Sequence, residues 1–143
     1  MTENVVAVQA SQKIARPPGV WILTIYALFF AGLAPLFLSV FLLISGNAAG
    51  SFLGLLFSLL VSTAVIASAI GAWKGSEKAR KTLLVFVTLH YVFVALNNFV
   101  LLNSGQIPEE EQTRFLGRVL RGFIYPAIYL WYFNRDTTKE FYN

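Results

Sequence analysis

Residues 19–73 contain no aspartate, glutamate, lysine or arginine, and residues 82–108 contain none either. These charge-free stretches limit the possible folds more than any other feature, because soluble domains carry about a quarter of their residues as charged side chains. Here the charged fraction is 13%, the hydrophobic fraction is 57%, and the mean hydropathy is +0.64. The sequence therefore predicts an all-α integral membrane protein.

Four apolar stretches are candidates for membrane-spanning helices. The first three reach the roughly 20 residues that a helix needs to cross a hydrocarbon core of about 30 Å. The fourth is shorter, and an amphipathic segment at residues 108–118 leads into it, started by Pro108 and three glutamates. The fourth can span only if its arginines snorkel or face protein. We expect one domain of residues 1–143, a compact antiparallel bundle of four transmembrane helices at residues 20–44, 51–73, 82–103 and 119–133.

The basic residues predict the orientation of the chain. Eight of the eleven lysines and arginines fall in the amino-terminal arm, in the turn after the second span or in the tail. The turn after the first span, "SGNAAG", carries no charge. Positive charge is enriched in cytoplasmic loops, and tryptophan is enriched at membrane interfaces. Trp21, Trp73 and Trp131 lie at the ends that this rule makes cytoplasmic. We therefore expect the protein in the cell membrane (the inner or plasma membrane), with both termini cytoplasmic.

Small residues in the second span predict close helix packing. Gly54, Ser58 and Ser62 are spaced by four, and Ala67 and Gly71 repeat that spacing. Small side chains at this interval allow helix backbones to approach each other within a membrane. Two interpretations follow: a contact inside the four-helix bundle, or a face for dimerisation.

Polar residues interrupt the third and fourth spans. Counted along ideal helices, those of the third lie at depths similar to those of the fourth. We expect the two sets to face each other, either as interhelical hydrogen bonds or as an electropositive pocket for an anionic headgroup or solute. In the pocket, the single histidine would tune binding with pH. The predicted polar cluster consists of His90, Asn97, Asn98, Arg118, Arg121 and Tyr125.

Several functional classes are excluded by the residues present. Every aspartate and glutamate lies outside the four spans, so no carboxylate is available there for acid–base or proton-coupled chemistry. One histidine without cysteine does not supply a haem, zinc or di-iron site. No glycine-rich nucleotide fingerprint or basic-aromatic nucleic-acid surface occurs. We expect no catalytic residue, no metal, no cofactor, no nucleic-acid partner and no enzymatic activity.

Three stretches carry a resemblance: "RPPGVWILTIYALFFAGLAPL", "GAWKGSEKARKTLL" and "YLWYFNRDTTKEFY". They resemble a loose group of small prokaryotic four-span membrane proteins of unknown function. The resemblance implies a compact tetraspan protein and transfers no catalytic residue.

Two functions remain after these exclusions. The first is a non-enzymatic accessory or assembly subunit, or a self-associating scaffold, whose partners are membrane lipids and a membrane protein or a second copy of the chain. The alternative is a small transporter, channel or lipid-binding protein that uses a polar site between spans three and four.

Overall fold

A computed structural model of the chain describes residues 15–46, 52–105 and 107–142. Within these ranges the regular structure is entirely helical, which confirms the all-α prediction. Residues 1–14 of the predicted amino-terminal arm and residues 47–51 of the first turn lie outside the described residues. The helices are α1 (Pro18–Ile44), α2 (Phe52–Trp73), α3 (Glu77–Asn103), α4 (Glu109–Phe133) and α5 (Asp136–Tyr142).

Helices α1, α2 and α3 are each long and apolar enough to cross a membrane. Helix α3 begins earlier than the predicted span, because the Ser76 hydroxyl accepts a hydrogen bond from the Ala79 amide and caps the helix at Glu77. Helix α4 joins the predicted lead-in and the fourth apolar stretch into one continuous helix of 25 residues. Three glutamates lie in its first turn and Pro126 lies in its apolar half. Its first half is therefore much more polar than the other three long helices.

Helix α1 changes its winding in the middle. Residues Ala27–Leu33 form a π-helical segment, at whose end the Ala34 amide bonds to the Phe29 carbonyl, five residues back. Pro35 follows, and a proline has no N–H to give to the carbonyl four residues earlier. Widening the preceding turns is a known way for a helix to accommodate such a break. The segment separates an initial α-helical part, Pro18–Tyr26, from a final one, Ala34–Ile44.

The core consists mainly of alanine, valine and aromatic side chains, and small residues bring the helices together. A Cβ atom built on Gly122 of α4 would lie 2.5 Å from the Ala95 Cβ and 2.8 Å from the Tyr91 carbonyl oxygen, both on α3. A Cβ built on Gly71 of α2 would lie 2.5 Å from the Ala79 Cβ of α3. Fully buried or nearly so are Val20, Ala27, Ala31, Val61, Val65, Ala69, Ala72, Leu83, Val87, Ala95, Tyr129 and Phe133.

Candidate functional site: an apolar cleft and two charged regions

A cleft of about 1020 Å³ lies between the final part of α1, the first half of α2 and the middle of α3. The cleft lies beside the part of α1 that runs from the π-helical segment to Ile44. Its walls are formed by aliphatic and aromatic side chains with few polar groups. They include Phe30, Ala34, Pro35, Leu38 and Leu42 of α1, Leu53, Leu55, Phe57 and Val61 of α2, and Phe93 and Val94 of α3.

Four polar side chains also line this cleft. The Ser39 hydroxyl donates a hydrogen bond of 3.0 Å to the Ser58 hydroxyl, which links α1 to α2. His90 and Asn97 line the α3 wall, and neither side chain has a hydrogen-bond partner among the described residues. Their donors and acceptors are therefore free for a molecule in the cleft. This combination of apolar walls and a few polar groups is typical of small-molecule sites.

The small residues predicted to pack in the second span lie in different surroundings. Gly54 and Ser58 line the cleft, whereas Ser62 is fully buried and its hydroxyl has no partner within the described part of the chain. Gly71 lies against Ala79 at the other end of α2. Ala67 is exposed on the outside of the helix. These small residues thus lie on the inner side of α2, except for Ala67.

The polar cluster predicted between the third and fourth spans is divided by the structure. His90 and Asn97 point into the cleft, towards α1 and α2. Asn98 donates a hydrogen bond of 2.7 Å to the Val94 carbonyl, one turn earlier in its own helix. Arg118 and Arg121 are exposed on α4 and line a different, shallower groove.

Tyr125 belongs to neither of these regions. Its ring centroid lies 5.2 Å from that of Tyr91 and 5.8 Å from that of Tyr26. Helix α3 turns Tyr91 and Ala95 towards α4, because Gly122 permits close approach there. His90 is one residue before Tyr91, about 100° away around the helix, and so faces the opposite helices. For His90 to face Tyr125, as predicted, it would have to lie on the face of α3 that carries Tyr91.

The groove on α4 measures about 350 Å³ and is lined by Thr113, Arg114, Gly117, Arg118 and Arg121. The guanidinium of Arg118 lies 4.8 Å from the centroid of the Phe115 ring. Within the described residues the ion pairs join Glu77 to Arg80 and Lys81, and Asp136 to Lys139. Glu110 and Arg114 have the i,i+4 spacing that suits an ion pair on a helix, but they are not among these pairs. The arginines of α4 therefore have no carboxylate partner among these residues.

Arg80, in the turn predicted to be cytoplasmic, forms the second charged region. Its side chain is buried, and its Nε and Nη2 donate hydrogen bonds of 2.6 and 2.7 Å to the two Glu77 carboxylate oxygens. Its Nη1 donates to the Phe133 carbonyl oxygen at the end of α4. The guanidinium also lies 5.6 Å from the centroid of the Tyr142 ring. Burial raises the pKa of the Tyr142 phenol above its usual range.

Arg16 makes a similar contact from the amino-terminal side. Its guanidinium lies 4.4 Å from the centroid of the Trp73 ring and 5.7 Å from that of Phe141. Trp73 is in turn 5.8 Å from Trp21. The three stretches that carry the resemblance therefore meet at one end of the protein. We call the residues Arg16, Trp21, Trp73, Glu77, Arg80, Phe133, Phe141 and Tyr142 the basal cluster.

The spacing in "GSEKAR" was the available signal for the Arg80 contact, since Glu77 and Arg80 are three residues apart on a helix. The Phe133 carbonyl is 53 residues away and has no such local signal.

No group of three or more histidine, cysteine, aspartate or glutamate side chains suited to a metal occurs within the described ranges. No protein family, curated protein or solved structure matches the chain.

Proposed function

We propose that this chain is a non-enzymatic four-span membrane protein that binds the apolar chain of a membrane lipid in the cleft between α1, α2 and α3. The single observation that carries the proposal is the cleft itself, about 1020 Å³ in volume and lined mainly by apolar side chains. This volume is at the upper end of the roughly 300–1,000 Å³ usual for small-molecule sites.

The fourth span of this proposal is α4. The Tyr129 hydroxyl donates a hydrogen bond of 2.8 Å to the Leu23 carbonyl of α1, and the Tyr125 and Tyr26 rings meet one turn further along. The apolar half of α4 therefore lies beside a helix that is itself apolar and long enough to cross a membrane. At 1.5 Å per residue, residues 119–133 cover roughly 22 Å, and the polar first half would reach the remaining distance.

The orientation expected from the basic residues belongs to the same proposal. With both termini cytoplasmic, the basal cluster lies at the cytoplasmic interface, where tryptophan and arginine are favoured. The cleft then lies in the half of the membrane away from the cytoplasm, since its α1 and α2 walls extend towards Ile44 and Phe52. The proposed location is the cell membrane of a prokaryote, as the resemblance implies.

A lipid chain suits this cleft for two reasons. A cleft with apolar walls that lies at the depth of the hydrocarbon core is filled by acyl chains, because water has few groups to bond to there. His90 and Asn97 supply the exceptions, and their unpartnered groups could bond to the ester or headgroup end of one lipid. No carboxylate lies among the cleft residues within the described part of the chain, and this supports a binding role without catalysis.

The test is to fill the cleft with a large side chain. Val94 lines it, whereas Val85 lies on the same helix and is exposed outside it. We expect Val94→Trp to lose lipid that co-purifies with the wild-type protein in mild detergent, measured by native mass spectrometry. Val85→Trp, the matched control, should retain it. Equal lipid retention by both variants, with both still folded by circular dichroism, would contradict the proposal.

The accessory-subunit or scaffold function remains a second candidate because of one observation. The outer side of α1 forms an apolar groove of about 590 Å³, to which Trp21, Phe29 and Phe37 contribute. A helix of a membrane-protein partner or of a second copy of the chain could pack there. The same mass spectra discriminate: a stoichiometric partner or a dimer, without bound lipid, would favour this second function.

A further inference from the structure

The first half of α4 presents a row of arginines on its outer side. Arg114, Arg118 and Arg121 are spaced by four and three residues, which places them on one face of the helix. All three are exposed, and together with Thr113 and Gly117 they line the groove of about 350 Å³. This groove is separate from the lipid cleft, whose walls come from α1, α2 and α3.

The shape of the groove depends on Gly117. A Cβ atom built on this glycine would have nothing within 4 Å, so the space beside it is open. The glycine lies between Arg114 and Arg118 along the helix, and its missing side chain leaves room for a ligand between the guanidinium groups. Thr113 adds a hydroxyl to the same groove.

The charge of the groove has no counterpart among the described residues. None of the three arginines forms an ion pair there, and Arg118 instead lies over the Phe115 ring. Within the hydrocarbon region of a membrane, an arginine without a partner is unfavourable. An anionic group bound to the guanidinium groups would remove this cost.

The depth of the arginines identifies the anion. Counted from Phe133 at 1.5 Å per residue, Arg121, Arg118 and Arg114 lie roughly 18, 22 and 28 Å along α4. The hydrocarbon core is about 30 Å thick, so the row climbs towards the interface opposite the basal cluster. Long basic side chains extend towards the headgroups from such positions. The nearest anions there are lipid phosphates, which guanidinium groups bind in a bidentate manner.

We propose that Thr113, Arg114, Gly117, Arg118 and Arg121 form a binding site for the phosphodiester headgroup of an anionic membrane lipid. The site rests on α4 crossing the membrane, as proposed above, but it does not depend on the cleft. A lipid with net negative charge is preferred to a zwitterionic one, because a choline group would lie near three cations. Within this site the arginines bind phosphate, and Gly117 provides the space.

The experiment uses the full chain in nanodiscs of phosphatidylcholine with a minority of phosphatidylglycerol, followed by native mass spectrometry after release. The variant Arg118→Gln/Arg121→Gln should retain at most about a tenth of the phosphatidylglycerol that the wild type retains, since each substitution removes a charge-assisted hydrogen bond to the phosphate. The matched control Lys74→Gln/Lys78→Gln removes the same charge from two exposed positions where α2 ends and α3 begins, far from the groove. This control should retain phosphatidylglycerol.

A second variant tests whether the loss of phosphatidylglycerol is only a general effect of removing positive charge. Gly117→Leu places a large side chain in the groove and leaves every arginine in place, and its Cβ would meet nothing within 4 Å. It should also lose phosphatidylglycerol while keeping the thermal stability of the wild type. The cleft variant Val94→Trp should keep it, so failure of the lipid cleft and failure of the headgroup site are distinguishable.

Four results would overturn the proposal. One is equal loss from the lysine control, and another is retention by Gly117→Leu. A third is displacement by inorganic phosphate at the concentration of the lipid, which would make the groove a general phosphate site. The fourth is release of a stoichiometric protein partner by the arginine substitutions, which would assign the row to a carboxylate of that partner.

Discussion

Replacing Gly122 by alanine tests the contact that brings α3 and α4 together. The added Cβ would lie 2.5 Å from the Ala95 Cβ and 2.8 Å from the Tyr91 carbonyl oxygen, and the latter is backbone that cannot rotate away. Overpacking of this kind costs about 1–3 kcal/mol of unfolding free energy. Alanine in place of glycine in a helix returns about 0.5–1 kcal/mol. We therefore expect a net loss of up to roughly 2.5 kcal/mol for Gly122→Ala.

The same helix supplies the matched control. Gly117→Ala is the same chemical change, but its Cβ would meet nothing within 4 Å. Only the gain from replacing glycine by alanine within a helix remains, so this variant should be more stable than the wild type by about 0.5–1 kcal/mol. The difference between the two variants isolates the clash, about 1–3 kcal/mol. Unfolding in mixed micelles of mild detergent and dodecyl sulfate, followed by tryptophan fluorescence, measures both. If the two variants are equally stable, Gly122 does not lie against α3 as described.

Two further predictions concern the basal cluster and the topology. Arg80→Met leaves the buried Phe133 carbonyl without its donor and should cost about 2–3 kcal/mol in the same assay, after allowance for the partly exposed Glu77. Lys81→Met removes only the exposed partner of that carboxylate and should cost under about 1 kcal/mol, and equal losses would show that Arg80 is not held as described. Reporter fusions after Gly50 and after Glu111 should behave as translocated, and a cytoplasmic signal at either point would exclude the four-span arrangement.

The helices were largely predictable, because runs of apolar residues without charge have few alternatives within a membrane. The apolar span predicted from residue 82 is shorter than α3, which begins at Glu77 after the Ser76 cap that "GSEKARK" favours. The polar first turns of α4 were also predictable, since Pro108 and the three glutamates after it favour a helix start, and α4 continues from there into the fourth apolar stretch.

The arrangement of polar groups was not predictable to the same degree. Helical spacing placed His90 and Asn97 on one face, and both do line one cleft. It could not tell which neighbour that face meets, because the choice depends on Gly122 packing against Ala95. The contact between Arg80 and the Phe133 carbonyl arises from tertiary packing and has no local pattern in the sequence. The π-helical segment of α1 does have a local signal, because Pro35 follows it directly.

The contact between Arg80 and the Phe133 carbonyl has a consequence for the order in which the bundle assembles. A ribosome makes Arg80 well before Phe133, because 53 residues separate them. During that interval the guanidinium has Glu77 as a partner but lacks the carbonyl that it bonds to in the finished protein. Helices α1 to α3, each long and apolar enough to cross a membrane, are made first. The base of the bundle closes only after α4 and α5 have been made, because Phe133 and Tyr142 both contact Arg80.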